Sequence, residues 1–176
     1  FKAGLNLVDG YLYRKEGYVQ DSESVLENGH KFIVDWTEGQ KTGFFLDQRE
    51  NRRLVGRYAA GRRVLNLFCY TGGFSIYAPA AGALHVDSVD SSKKAMDMVD
   101  RNVVLNFPSE ALAEPVASEG GISVISRHTS YCEDAIDFVK NSPDGKYDLM
   151  IVDPPAFAKH RGVLKNALRA YQRLNA

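Results

Sequence analysis

The chain has only two cysteines, Cys69 and Cys132, in 176 residues. That is too few for a disulfide framework, so both are expected as reduced thiols. It also has no charge excess, with 22 Lys and Arg against 22 Asp and Glu. Any nucleic-acid contact must then come from a local patch rather than an overall basic field. No apolar run approaches the roughly 20 residues that span a bilayer, and the first residues lack a leader pattern. His30, His85, His128 and His160 are scattered without ligand spacing, so no metal is expected. The three-glycine dinucleotide fingerprint is missing as well. Together these absences leave a cytoplasmic, metal-free protein with no membrane partner as the expectation, of ordinary globular composition.

The most informative stretch present is Val64-Leu-Asn-Leu-Phe-Cys-Tyr-Thr-Gly-Gly-Phe-Ser75. An apolar strand runs straight into a glycine turn, and Asp90 closes the next apolar run. The separation from Asn66 to Asp90 is close to the spacing at which a carboxylate meets the ribose of a nucleotide-like cofactor. A pyrophosphate would need backbone N–H groups aimed from a three-glycine turn at a helix start. S-adenosylmethionine has no phosphate and needs close backbone approach, which Gly72 and Gly73 supply by lacking side chains. The loop leans toward that methyl donor as cofactor.

Residues 5–45 read as β-hairpin material. Asp9-Gly10 is a tight-turn signal. Phe32, Val34 and Trp36 alternate with Ile33, Asp35 and Thr37, and Glu38–Gly43 turns the chain into Phe44-Phe45-Leu46. From Asp47 the pattern changes: Asp47 is expected to N-cap a helix running to about Ala60, with Gly61 as its stop. Four strand-length apolar runs follow, Val64–Phe68, Leu84–Val89, Ile122–Ser126 and Leu149–Val152. Helical segments Gly73–Ala81, Ser92–Asn106 and Cys132–Lys140 separate them.

Strands alternating with helices imply right-handed crossovers and a parallel sheet covered on both faces. The expected fold is therefore α/β: a Rossmann-like parallel sheet over residues 47–176, preceded by a β-hairpin appendage over residues 1–46. In that topology the first and fourth runs are neighbours at a switch point where ligands bind, so the glycine loop meets Asp153. Pro79 is expected to kink or shorten the first crossover helix, and residues 108–121 read as a surface loop. Leu164, Leu168 and Tyr171 form an apolar stripe that reaches Ala176 without a stop signal, so the chain is expected to continue further.

Asp153-Pro154-Pro155-Ala156-Phe157 is the second chemical signal. Two prolines fix the backbone and leave carbonyls facing the crevice. A planar base can hydrogen-bond there while Phe157 stacks on it or packs below it; the competing reading is a plain strand-ending turn. Asp90 suits ribose hydroxyls, or else caps the following helix, a role Ser91 or Ser92 could also fill. Asp134 either accepts the adenine amino group or complements a helix dipole. Arg161, Lys165, Arg169 and Arg173 recur every four residues, as do Arg49, Arg53 and Arg57; such rows follow a phosphate backbone or form a solvated helix face. Lys159 and His160 stand beside the first row.

Gly39-Gln-Lys-Thr-Gly-Phe-Phe-Leu-Asp-Gln-Arg-Glu-Asn-Arg52, Leu65 to Ser75, Ser88-Val-Asp90 and Asp153 to Phe157 resemble the bacterial large-subunit ribosomal RNA cytosine-5 methyltransferases. These are class I S-adenosylmethionine enzymes that carry an RNA-binding PUA domain. The resemblance runs from about Asn28 onward. It implies cofactor contacts from Phe68, Cys69, Tyr70, Thr71, Gly72 and Gly73, from Asp90 with Ser91, from Asp134 with Ala135, and from Asp153, with Gln48 and Arg49 bordering the pocket. It also implies base positioning by Asp153, Pro154, Pro155 and Phe157, and ribosomal RNA as partner, gripped by Lys159, Arg161, Lys165 and Arg169. Residues before Phe45 would be the connector to an absent PUA domain.

Cytosine-5 chemistry needs a cysteine thiolate, which in that family lies beyond the equivalent of residue 176. Cys69 and Cys132 are expected as small buried thiols, and the chain alone is expected to be inactive. Guanine methylation at N7 or N2 is the alternative, and Asp-Pro-Pro-Phe turns also serve enzymes that methylate exocyclic amines. A nucleotide-binding oxidoreductase domain and a silent RNA-binding module are further readings. A homodimer stays open.

Overall fold

The computed structural model describes residues 13, 15–17, 24–36, 39, 43–108, 122–125, 127–158, 162 and 164–175. The chain first forms an antiparallel pair, β1 (Ser24–Glu27) and β2 (His30–Ile33). Asn28 and Gly29 join them with φ of 50° and 89°. A two-residue hairpin turn matched to strand twist needs positive φ at both positions, and Asn-Gly is the pair that adopts it most readily. The expected pairing through Glu38–Gly43 is corrected here: β2 ends at Ile33, and Phe44–Leu46 forms no strand. Phe44 instead packs its ring 4.8 Å from Phe32. The Asp9-Gly10 turn lies outside the described residues.

A 3-10 turn over Leu46–Gln48 leads into α1 (Arg49–Ala59). The expected N-cap, Asp47, is displaced: Gln48 holds that position, and Asp47 sits in the turn, where its charge still suits the helix start. Gly61, at φ 69°, ends the helix run. Then come β3 (Arg63–Leu67), α2 (Gly73–Ala80), β4 (His85–Val89), α3 (Lys93–Asn106), β5 (Ile122–Ile125), β6 (His128–Tyr131), α4 (Ala135–Asn141), β7 (Leu149–Val152) and α5 (Leu164–Leu174). Helix α2 runs one residue past Pro79 and closes at Gly82, whose φ of 90° and N–H bond to the Pro79 carbonyl end it.

The sheet order is β5-β6-β4-β3-β7. Strands β6, β4, β3 and β7 run parallel, and β5 joins antiparallel at the edge. The first and fourth runs of the sequence, β3 and β7, are neighbours as expected. The third is a correction. The apolar run at Ile122 is the antiparallel edge, and the third parallel strand is His128-Thr-Ser-Tyr131. His128, Thr129 and Ser130 are buried with partners on most of their polar atoms, though His128 Nδ1 has none among the described residues. His128 Nε2 lies 2.7 Å from Ser88 Oγ, Thr129 Oγ1 lies 2.9 Å from His85 Nε2, and Ser130 donates to Asp100 at 2.6 Å. Hydropathy does not register polar groups that are paired inside.

One sheet face buries Val64, Val86 and Ile151 against Ala59 of α1 and Ala78 of α2. The opposite face buries Leu65, Leu67 and Val89 against Ala135 and Phe138 of α4. A third cluster, with Phe32, Phe44, Ile76, Tyr77, Met96, Val99 and Val103, fills the space beneath the hairpin. The hairpin is also tied to α3 by polar contacts. Ile33 N–H donates to Asn102 Oδ1 at 2.8 Å, and Lys31 N–H donates to Asn106 Oδ1 at 2.9 Å. Among the described residues no helix is long and apolar enough to cross a membrane.

A buried ion pair closes this arrangement. Arg52 of α1 donates Nε and Nη2 to the two oxygens of Glu27 at 2.7 and 2.8 Å, and Nη1 to the Phe45 carbonyl at 3.0 Å. Its guanidinium lies 4.4 Å from the centroid of the Phe44 ring, and Tyr77 donates its hydroxyl to Glu27 at 3.0 Å. Removing one partner leaves an unpaired charge where the side chains are 3% and 7% exposed. Glu27→Ala should therefore lower unfolding free energy by about 3–5 kcal/mol in urea titration. A loss under ~1 kcal/mol would show that the pair is not buried in solution.

Burial holds the His128 imidazole down to about 3, far below the ~6.5 of a free imidazole. Its neutral form is thus the folded one. The stability it contributes is complete above about pH 6.5 and drains as pH falls toward 3. Asp87 behaves similarly, lower on the scale. Burial alone would raise it, but hydrogen bonds from His85, Lys146 and Tyr147 draw it down to about 2. Its contribution is lost only below about pH 4. In thermal melts between pH 6.5 and 4, His128→Gln should lose less stability than the wild type; parallel profiles would refute the assignment.

Candidate functional site

A cleft of about 540 Å³ opens at the carboxyl ends of β3, β4 and β7, within the range of small-molecule sites. Its walls come from the loop after β3 (Phe68, Cys69, Tyr70, Thr71, Gly73), the end of β4 (Asp90, Ser91, Ser92) and the turn after β7 (Asp153, Pro154, Pro155, Ala156). Phe44, Phe45, Asp47, Gln48 and Arg52 enter from the hairpin side, and Phe74 from α2.

The glycine loop is bent at a cost. Phe68 and Tyr70 both hold left-handed backbone, at φ 54° and 49°, a conformation that is unfavourable for side-chain-bearing residues and persists where surroundings impose it. The surroundings are visible. Cys69 N–H donates to the Val89 carbonyl at 3.1 Å, Gly72 N–H to the Cys69 carbonyl at 2.9 Å, and Asn102 Nδ2 to the Thr71 carbonyl at 2.9 Å. Tyr70 N–H donates to Asp90 Oδ2 at 3.0 Å. A Cβ on Gly73 would stand 3.0 Å from Arg52 Cδ, and one on Gly72, at φ 80°, 3.1 Å from the Val99 methyls. A side chain at either position would push Arg52 or Val99 aside, and at Gly72 it would also have to adopt left-handed backbone.

Asp90 accepts from Tyr70 with one oxygen and from Ser92 N–H with the other, at 2.9 Å. A carboxylate offers about four acceptor positions, so two remain. The helix-capping alternative is taken by Ser92, whose Oγ accepts from Ala95 N–H at 3.2 Å. At the opposite wall, Asp153 Oδ2 accepts from Gln48 Nε2 at 2.9 Å, and Gln48 Oε1 accepts from Asn51 at 2.6 Å. Burial, and then the charge of Asp47, raise the Asp153 carboxyl above its ordinary value. Cys69 faces Met96 Sδ at 3.6 Å; burial first, and Asp90 next, push its thiol well up.

The structure thus brings Gln48, Phe68 to Thr71, Gly73, Asp90, Ser91, Asp153, Pro154 and Pro155 onto one cleft. Gly72 stands just behind as the N-cap residue of α2. Other expected residues go elsewhere. Arg49 turns away to Asn28 Oδ1 at 2.8 Å. Asn66 is buried against Ser75 Oγ at 2.9 Å, and Ala135 lies in the core. Asp134 caps α4 by accepting from Ile136 and Asp137 N–H at 2.9 and 3.1 Å. Phe157 meets Tyr171 edge-on at 4.7 Å between centroids. Lys165 and Arg169 are exposed on α5, while Arg53 of the other basic row pairs with Glu50 at 2.8 Å. Lys159, His160 and Arg161 lie outside the described residues.

Phe44, Phe45, Asp47, Arg52, Phe74, Ser92 and Ala156 line the cleft without having been singled out. Arg52 had a signal: it closes the Gly39–Arg52 stretch on which the family resemblance rests, but nothing local indicates that it folds inward. The arrangement fits S-adenosylmethionine. Asp90 has acceptors to spare for hydroxyls, and the carboxylates Asp47, Asp90 and Asp153 suit a positively charged sulfonium. The expected role of the glycines is corrected, since the space they leave is taken by Val99 and Arg52 packing against the loop. Among the described residues no group of three or more His, Cys, Asp or Glu could hold a metal.

The sequence profile described as S-adenosylmethionine-dependent methyltransferase matches residues 14–175. The chain belongs to that family. This methyltransferase chain is 38% identical over 178 aligned residues to the ribosomal RNA large subunit methyltransferase I of Shewanella amazonensis, covering 99% of the chain and 40% of that protein. It is 40% identical over 177 residues to a ribosomal RNA large subunit methyltransferase of Deinococcus radiodurans, covering 98% and 39%. A solved methyltransferase complexed with S-adenosylhomocysteine superposes with a TM-score of 0.67 at 32% identity, covering 86% of this chain and 36% of that one. The methyltransferase chain spans about 40% of the length of the curated relatives it matches.

Asp90→Ala removes both the spare acceptors and the anchor of Tyr70. It should weaken S-adenosylhomocysteine binding at least about tenfold in calorimetric titration, the equivalent of one or two charge-assisted hydrogen bonds. Undiminished affinity in a folded variant would place the adenosyl group elsewhere.

Proposed function

We propose that the chain forms the cofactor-binding and base-positioning part of an enzyme that methylates a base of large-subunit ribosomal RNA, cytosine C5 foremost. The observation that carries this reading is the shared cleft: the glycine loop with Asp90 on one wall and Asp153-Pro154-Pro155 on the other, at adjacent parallel strands. S-adenosylmethionine supplies an electrophilic methyl group when bound. Phe68, Tyr70, Thr71, Gly73, Asp90 and Ser91 would hold it, and Asp153 with its prolines would orient the base beside it. The printed names of the relatives, both large-subunit ribosomal RNA methyltransferases, support the RNA class. So does α5, whose exposed Lys165 and Arg169 follow the Asp153 turn with no acidic residue in its first turn. A division into a hairpin connector over residues 1–46 and a methyltransferase core over 47–176 belongs to the same reading, as does a cytoplasmic setting.

The thiol chemistry separates cytosine from guanine. Only Cys69 and Cys132 exist in the sequence. Cys69 is buried and held protonated, and Cys132 points its sulfur at the Ser91 carbonyl, 3.8 Å away. Cys69 is thus not an attacking thiolate, and Cys132 is not among the residues that line the cleft. C5 methylation therefore needs a thiolate from outside these residues, whereas guanine N7 is already nucleophilic and needs none. Incubated with tritiated S-adenosylmethionine and an unmodified large-subunit ribosomal RNA transcript, the chain should bind both and transfer no label. Label appearing in guanine would replace the cytosine reading with the guanine one. A folded chain that binds neither partner would sink both.

A further inference from the structure

The Asp153 carboxylate is short of donors for a structural reason. A carboxylate at a strand end usually collects N–H groups from the residues that follow it, but Pro154 and Pro155 have none. Among the described residues the only hydrogen bond given to Asp153 comes from Gln48 Nε2, at 2.9 Å to Oδ2. Gln48 cannot be turned the other way round. Its Oε1 already accepts from Asn51 at 2.6 Å, and a carbonyl facing the carboxylate would set acceptor against acceptor. The amide nitrogen carries two hydrogens; one is used on Asp153 and the other is not. Both residues line the cleft. Two bonded neighbours on the wall therefore keep hydrogen-bonding capacity that no described residue takes up: the second N–H of Gln48 and Asp153 Oδ1.

We propose that Gln48 and Asp153 act as a donor–acceptor pair that reads the amidine edge of the target base, an exocyclic amine next to an unprotonated ring nitrogen. This rests on the reading of the chain as part of a base methyltransferase and specifies which bases the cleft accepts. The amine donates to Asp153 Oδ1, and the ring nitrogen accepts from Gln48 Nε2. Cytosine offers that order through its 4-amino group and N3, and adenine through its 6-amino group and N1. Uracil reverses it, bringing a carbonyl to the carboxylate and an N–H to the amide. On its pairing edge guanine brings a carbonyl and two donors, so its amine can meet Asp153 but no unprotonated ring nitrogen of that edge meets Gln48 Nε2. A mismatched edge leaves two desolvated polar groups unpaired, which costs more than a missing attraction. Gln48 is a specificity-determining residue in this scheme, and Asn51 positions it.

The pair is tested by fluorescence anisotropy of short labelled oligocytidylate and oligouridylate, with S-adenosylhomocysteine saturating. The ratio of the two affinities is the readout, because a residue that merely props the loop would lower both alike. Wild type should prefer oligocytidylate by about tenfold, the discrimination of one good bidentate base contact. Gln48→Leu should bring the ratio near one. Asp153→Asn, which can turn an amide N–H toward the base, should shift preference toward oligouridylate. Equal binding of both oligonucleotides by the wild type would overturn the pair while leaving RNA recognition intact. An unchanged ratio in Gln48→Leu would remove Gln48 from it. A wild type that binds S-adenosylhomocysteine but neither oligonucleotide would overturn the RNA reading and the pair together.

Discussion

The Arg52–Glu27 pair is the interaction on which the rest of this structure depends. One guanidinium holds the hairpin through the Glu27 carboxylate, the cleft's entrance through the Phe45 carbonyl, and the core through the Phe44 ring. Its aliphatic stem lies against the side-chain-free space at Gly73. Three segments, at Glu27, at Phe44–Phe45 and at Gly73, are thus fixed by a residue whose charge is fully consumed. The consumption matters for the cleft: Arg52 lines it but adds no free positive charge, so Asp47, Asp90 and Asp153 set its electrostatic character. A cationic cofactor is drawn to such a wall, whereas an anionic one would be repelled.

The two ends of the cleft solve different problems. Around Asp90 the backbone itself is distorted, with left-handed Phe68 and Tyr70 fixed by bonds to β4 and α3. Shape is what that end supplies, and the distortion is stored there because the neighbouring strand and helix hold it. Around Asp153 the backbone is stiffened by prolines and stripped of donors. That end supplies unmet hydrogen-bonding capacity, which is a means of recognition rather than of packing. Adjacency of β3 and β7 in the sheet brings shape and recognition to the same opening.

Much of this was legible from the sequence because it rests on local signals. A strand of Leu and Val followed by paired glycines, an aspartate at the next strand end and a proline pair at the fourth are written in consecutive residues, and parallel topology then puts them together. What could not be read rests on partners distant in sequence. The strand His128–Tyr131 looks polar until His85, Ser88 and Asp100 are beside it. Arg52 reads as one more arginine on a basic helix until Glu27 arrives from the hairpin. Asp134 had two physically sound roles, and its oxygen is engaged by the helix start at Ile136 and Asp137. The Asn28-Gly29 turn is a different case: its signal was local and strong, and the alternation farther along at Phe32–Trp36 obscured it.

Asn102 has a consequence for how occupancy of the cleft is felt elsewhere. One buried amide gives its nitrogen to the Thr71 carbonyl in the glycine loop and its oxygen to the Ile33 N–H in the hairpin. The two segments share a single planar group that cannot rotate to serve one without leaving the other. Whatever orders the loop therefore bears on the edge of the hairpin through that one amide. Hairpin and glycine loop share one hydrogen-bonding group, so loosening either one frees half of a buried amide and weakens the hold on the other.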